Sequence, residues 1–141
     1  MDMGLVYADI ELIRSDDMAL LRAGFLSEDK VKRVKIKAMV DSGAYMLSLN
    51  ESICSQLDLP LIRKSSPELA DGSVINLDIV GPVEVRFENR STTVEAMVLP
   101  GGAEALLGAI PMEGMDVLID PLRQRLIVNP EHPFKPQYSL K

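Results

Sequence analysis

Val34-Lys35-Ile36-Lys37-Ala38-Met39-Val40-Asp41-Ser42-Gly43-Ala44 is the stretch on which the reading of this chain turns. Val34, Ile36, Ala38 and Val40 recur at every second position, the period of a strand with one buried face. The basic cluster from Lys32 to Lys37 supplies the wet face of the same strand. This strand delivers one carboxylate, Asp41, into a Ser-Gly turn. An acid at the end of a buried strand is costly unless something uses or satisfies it. Gly43 has no Cβ, so backbone can approach the carboxylate and a bound ligand closely. The Ser42 hydroxyl can bond to neighbouring backbone.

Bulk properties narrow the chemistry. The 141 residues suit one domain with a real core, 47% of them apolar and 26% charged. A net charge of −6 argues against nucleic acid and anionic membrane as partners. No apolar run is long enough to span a bilayer, and Asp2, Asp9 and Glu11 are out of place in a signal peptide. Cys54 is the single cysteine, so no intrachain disulfide can form and a reducing, cytoplasmic location is expected. His132 is the single histidine, in the Pro-rich stretch Pro130-Glu131-His132-Pro133, and reads as a solvated tail residue rather than a catalytic base. A zinc site of His and Cys lacks ligands, and no glycine-rich phosphate loop with its lysine is present, so neither metal nor cofactor is expected. Carboxylates remain as the chemistry-bearing groups.

Leu5 to Ile13 alternates and predicts a strand. Ser15-Asp16-Asp17 marks a helix start, Met18 to Ala23 a short helix, and Gly24 its stop. Ser27 to Lys32 reads as a loop. Tyr45 to Leu49 is a short apolar strand. Asn50 is a good N-cap for a helix over Glu51 to Leu57, with Ile53 and Cys54 toward the core. Ser65-Ser66-Pro67 signals a loop, and Ala70-Asp71-Gly72-Ser73 a hairpin, because Asp-Gly supplies the positive φ of a tight turn. Strands around Ile75–Ile79, Val83–Phe87 and Val94–Val98 follow, with Gly81-Pro82 and Asn89-Arg90-Ser91 as turns. Pro100-Gly101-Gly102 is another turn. Ala105-Leu106-Leu107-Gly108 reads as a buried strand, and Pro111 to Met115 as a short helical segment. Val117–Ile119 and Leu126–Val128 flank a hairpin at Asp120-Pro121-Leu122-Arg123. Asp116 and Asp120 form a second possible carboxylate pair, with Asp120 read as a turn residue. The methionines are core fillers. Many short strands with one or two short helices predict an all-β fold built on a closed or nearly closed barrel.

The run hydrophobic-hydrophobic-Asp41-Ser42-Gly43-Ala44 resembles the active-site loop of aspartic proteases, Asp-(Ser/Thr)-Gly-Ala. Leu106-Leu107-Gly108 stands where the retroviral-like members carry a hydrophobic-hydrophobic-Gly element that packs across that loop and precedes a helix. The segment from Leu106 to Asp116 and the ending Asn129-Pro130-Glu131-His132-Pro133 resemble the bacterial and archaeal single-domain members. The resemblance covers the chain from about Leu5 onward and implies one retropepsin-like domain over residues 1–141, with a Pro-rich tail from about 130. Viral enzymes follow the loop with Asp and the later Gly with a basic residue. Here those positions are Tyr45 and Ala109. Both partners of the viral ion pair are absent together, so no buried charge is stranded.

What the resemblance implies is a homodimeric aspartic endopeptidase. The chemistry needs two carboxylates sharing a proton, and one chain carries one loop, so a two-fold dimer would bring two copies of Asp41 together. Ser42, Gly43 and Ala44 would complete the loop. Tyr45 and the hairpin Ala70, Asp71, Gly72 and Ser73, which would fold over the site as a flap, would contact a peptide. Leu106, Leu107 and Gly108 would support the loop without taking part in chemistry. The alternative is a catalytically inactive dimer of the same fold that binds peptides, with Asp41 only satisfying turn N–H groups.

Overall fold

The computed structural model describes residues 5–138; the remainder of the expected domain, residues 1–4 and 139–141, lies outside the described residues. Among the described residues nine strands form one mixed sheet: β1 (Val6–Arg14), β2 (Arg33–Val40), β3 (Leu47–Asn50), β4 (Leu61–Ser65), β5 (Leu77–Phe87), β6 (Arg90–Leu99), β7 (Leu106–Leu107), β8 (Val117–Asp120) and β9 (Arg125–Val128). Three short helices join them, α1 (Ser15–Arg22), α2 (Glu51–Gln56) and α3 (Ala109–Met115).

Alternation in β1 and β2 becomes pairing. The two strands run antiparallel with Val6 opposite Val40 and Leu12 opposite Val34. Val6, Ala8, Ile10 and Leu12 are buried on one face, while Lys37 stands opposite Asp9 and Lys35 opposite Glu11 on the other. Such cross-strand opposite charges favour this register. From β1 the pairings run through β2, β7, β3, β6 and β5 and return to β1, so the six strands close a ring. The barrel expected from the sequence is therefore closed. β4 flanks it outside β5, and the β8–β9 hairpin extends it beyond β1. Leu47, Leu49, Val83, Val85, Ala96, Leu107 and Met115 fill the interior with no exposed surface. Each larger aliphatic among them contributes about 1.5–3 kcal/mol by leaving water.

Helix α2 starts where Asn50 was expected to cap it: the Asn50 side chain accepts the Ile53 N–H at 3.0 Å. Helix α1 stops at Ala23, and Gly24 follows with a positive φ of 83°. Asp17 in α1 is buried, takes the Lys32 N–H at 2.9 Å and pairs with Arg14 at 2.8 Å, which joins the helix to the entry of β2.

Four expectations need correction. A one-turn 3-10 helix, Glu28–Lys30, occupies the stretch read as a loop. β4 was not expected. Gly81-Pro82 is not a turn between two strands: β5 runs straight through it, with a register shift against β6 between Val80 and Val83. Proline is tolerated inside a sheet at such a bulge, where no ladder N–H is demanded of it. The turn joining β5 to β6 is the two-residue Glu88-Asn89, and Arg90 lies inside β6, 1% exposed.

Candidate active site

β2 carries the chain to Asp41 at one end of the barrel, and β7 holds it there. Met39 N–H donates to the Ala105 carbonyl at 2.9 Å, and Asp41 N–H to the Leu107 carbonyl at 3.0 Å. The loop then folds on itself. Ala44 N–H donates to the Asp41 carbonyl at 3.1 Å, and Gly43 N–H to Asp41 Oδ1 at 2.9 Å. One carboxylate oxygen is thus oriented by its own loop. A Cβ on Gly43 would stand 3.2 Å from that oxygen, so the glycine gives the acid room. Ser42 and Gly43 are exposed, Ala44 is half-buried and Tyr45 is 78% exposed.

The far side of the loop is fixed by the start of α3. Ala109 N–H donates to the Ala44 carbonyl and Ile110 N–H to the Tyr45 carbonyl, both at 2.8 Å. Backbone donors at the helix start thus tie the loop to α3. Between them sits Gly108, where a Cβ would fall 2.4 Å from the Met46 carbonyl oxygen and 2.8 Å from the Tyr45 carbonyl carbon. Real Cβ atoms do not approach backbone so closely, so only glycine fits. Leu106 and Leu107 pair with Met39 and Val40 in β7, and Leu107 is fully buried.

The second expected element is a real hairpin. Leu69 N–H donates to the Ser73 carbonyl at 2.7 Å, Gly72 N–H to the Leu69 carbonyl at 2.9 Å, and Glu68 bridges Val74. Ser73 donates to Asp71 Oδ1 from its hydroxyl at 2.6 Å and its N–H at 2.9 Å, which holds the Asp71 carboxyl below the usual carboxylate range. Gly72 takes a φ of 86°. The tip, Ala70 to Ser73, is exposed, and Leu69, Val74 and Ile75 expose apolar surface on its arms. Among the described residues no hydrogen bond or ion pair joins this tip to the Asp41 loop.

Elsewhere Asp116, Asp120, His132 and Cys54 are committed to structure. Asp120 accepts the Leu122 and Arg123 N–H groups at 3.1 and 3.2 Å, the turn role expected of it. Asp116 follows α3 at a φ of 55° and takes Asn129 Nδ2, the Gln137 N–H and His132 Nδ1 at 3.1, 3.0 and 2.6 Å. His132 is therefore no solvated tail residue. Its ring is 23% exposed against Asp116, and its carbonyl receives the buried Arg90 guanidinium. Sequence reading missed both roles, because they depend on partners distant in the chain. Burial raises the Cys54 thiol to about 11, in keeping with a core filler. No three His, Cys, Asp or Glu side chains gather as a metal site would need among the described residues.

The Asp116 carboxyl is held at about 2, first by the Gln137 N–H, against the effect of burial, with Asn129 and His132 adding to it. The folded chain thus binds this proton less readily than the unfolded one. The stabilisation is complete above the ordinary value of 3.8 and disappears as pH falls through about 2. Asp116→Asn is expected to cost about 1–2 kcal/mol at pH above 5, and this cost should shrink as pH falls from about 4 to 2. Urea midpoints of both proteins across that range test it; a constant difference would contradict it.

No protein-family model matches the chain, and no curated protein matches it. Among solved structures it is similar to the retroviral protease-like domain of Ddi1 from Leishmania major, with a TM-score of 0.57 and 16% identity, covering 92% of this chain and 91% of that one. At that identity the likeness shows the fold, which is retropepsin-like. No helix among the described residues is long and apolar enough to cross a membrane.

Proposed function

We propose that two copies of this retropepsin-like barrel associate about a two-fold axis and act as an aspartic endopeptidase. The observation that carries the reading is the Asp41 loop itself. A single carboxylate ends a core strand, is oriented by the Gly43 N–H at 2.9 Å, and is locked from behind by Leu107, Gly108 and the start of α3. A lone carboxylate of this kind lacks the partner acid that the chemistry needs. A second copy supplies it. One Asp41 takes a proton from water, the other donates to the scissile carbonyl, and the roles exchange as products leave. The Ser42 residues brace the two loops through backbone. The hairpin Ala70 to Ser73 covers an extended peptide, with Leu69, Val74 and Ile75 available to its side chains. The single buried cysteine suits a cytoplasmic setting.

The test is cleavage of a mixed peptide library at mildly acidic pH, by the wild type and by Asp41→Asn. Cleavage by the wild type alone is expected. Identical patterns from both proteins would sink the enzyme reading. One observation favours a second reading, an inactive peptide-binding dimer: the bond from Gly43 N–H to Asp41 Oδ1 is also a routine turn bond. The same experiment separates the two. If Tyr45 lines the cleft, Tyr45→Ala should change preference at one peptide position by roughly tenfold and turnover by less. A profile unchanged by this substitution would take Tyr45 out of the cleft.

A further inference from the structure

The outer face of the barrel changes character towards Asp41. Residues opposite one another in a ladder share a face, so the β1–β2 register can be read along it. Away from Asp41 the outward pairs are charged, Lys35 with Glu11 and Lys37 with Asp9. The next outward pair is Met39 with Tyr7, and Leu5 continues the alternation. Leu106 of β7 stands beside Met39 on one side. On the other side β9 begins at Arg125, beside Tyr7, and Arg125 faces Asp120 of β8. The turn of the β8–β9 hairpin is therefore at the Asp41 end of the sheet. Leu118 shares the face of Asp120, and Leu122 lies in the turn itself. Leu5, Tyr7 and Leu118 are exposed, Leu122 is 90% exposed, and Met39 and Leu106 are half-buried. Single apolar side chains on a surface are ordinary, but a group of them spread over neighbouring strands and rimmed by charge marks an interaction site. Arg125 stands among them, and arginine is the charged residue enriched in protein interfaces.

What covers this face follows from where it lies. One chain carries one Asp41, and a paired-carboxylate site is incomplete without a second copy. A two-fold axis that brings the two carboxylates together passes beside the end of β2. A standard interface takes about 800 Å² from each partner, a disc of roughly 16 Å radius around that axis. The sheet runs β2-β1-β9-β8, and neighbouring strands lie about 4.8 Å apart, so β8 is about 14 Å from β2 and inside the disc. A two-fold interface sets the patch against its own copy, which suits an apolar face.

We propose that two copies of this chain associate through this face, the β8–β9 hairpin of each packing against the other. The proposal rests on the composite site of the preceding reading. Sedimentation of the wild type, Leu122→Asp, Leu118→Asp and Phe25→Asp tests it. Phe25 is 81% exposed but lies in the connection between the far ends of β1 and β2, so it serves as the control. All three positions are exposed, so the variants should keep the wild-type circular dichroism spectrum. The wild type is expected to dimerise. Leu122→Asp should raise the dimer Kd roughly a hundredfold and Leu118→Asp about tenfold, whereas Phe25→Asp leaves it unchanged. The two weakened variants should cleave peptides only at concentrations that restore the dimer. A dimer indifferent to both β8 and turn substitutions, or weakened as much by Phe25→Asp, overturns this face and leaves the two-fold reading standing. A wild type that is monomeric at every concentration overturns both. If the wild type dimerises, the two variants dissociate and nothing is cleaved, the face stands and the peptidase reading fails.

Discussion

Gly108→Ala is expected to lower stability by about 3 kcal/mol and to remove peptide cleavage with it. The new Cβ would meet the Met46 carbonyl oxygen at 2.4 Å and the Tyr45 carbonyl carbon at 2.8 Å. Neither is a side-chain atom that can rotate away. Relief requires residues 44–46 to lift off the start of α3, which loses the bonds from Ala109 and Ile110, each worth about 1 kcal/mol. Strain in φ is not the cause, since Gly108 sits at −91° and any residue adopts that value. Gly102→Ala is the control, because a Cβ there meets nothing within 4 Å. Leu107→Ala belongs in the same series: its side chain is fully buried in the core, and its loss should cost about 2–5 kcal/mol. Urea midpoints of the three variants measure these effects. Gly108→Ala as stable as Gly102→Ala would mean that this element does not support the Asp41 loop.

The features legible in the sequence are those that short-range chemistry decides. Alternation from Val34 to Val40 fixed the face of β2 and delivered Asp41 to a turn. Asn50 three residues before Ile53 sufficed for the α2 cap. Asp71-Gly72 and Asp120-Pro121 marked their turns because each acid bonds within its own turn. What stayed hidden depends on distant partners. β4 shows no alternation, since Leu61 to Lys64 are all exposed; it is a strand because it pairs with β5, and its Arg63 and Lys64 reach Glu95 and Asp78. Gly81-Pro82 carries turn residues and yet is a bulge, because β6 and β1 pair with the strand on its far side. Arg90 looks like a turn residue until His132, 42 positions later, covers it. His132 looks free until Asp116 takes its ring. The site divided in the same way. The Asp41 loop and its support from Leu106 to Gly108 were legible as motifs, whereas the bonds from the Ala109 and Ile110 N–H groups to the Ala44 and Tyr45 carbonyls join segments far apart in the chain.

The second large effect falls on Asp41. Asp41→Asn is expected to abolish cleavage and to leave the dimer as tight as the wild type or tighter at neutral pH. In the proposed dimer two carboxylates at one axis would repel each other, and a proton taken up between them would relieve that repulsion. A species that binds an extra proton on association is favoured as pH falls, so the wild-type dimer should be tighter at mildly acidic than at neutral pH. Asparagine keeps the shape and removes the repulsion, so its dimer should ignore this pH range. Sedimentation of both proteins from mildly acidic to neutral pH reads the difference. A wild-type dimer indifferent to pH would show that the two side chains do not meet.

Mixing the two proteins puts the composite site to its most direct test. At equal amounts and free exchange of subunits, and at a pH where the three pairings are equally tight, about a quarter of the dimers carry two copies of Asp41, and half carry one. If each site needs both, activity per wild-type chain falls to about one half, and total activity follows the square of the wild-type fraction. Activity per wild-type chain that stays constant on mixing, or a wild-type chain that is active as a monomer, would contradict a site built from two copies of Asp41.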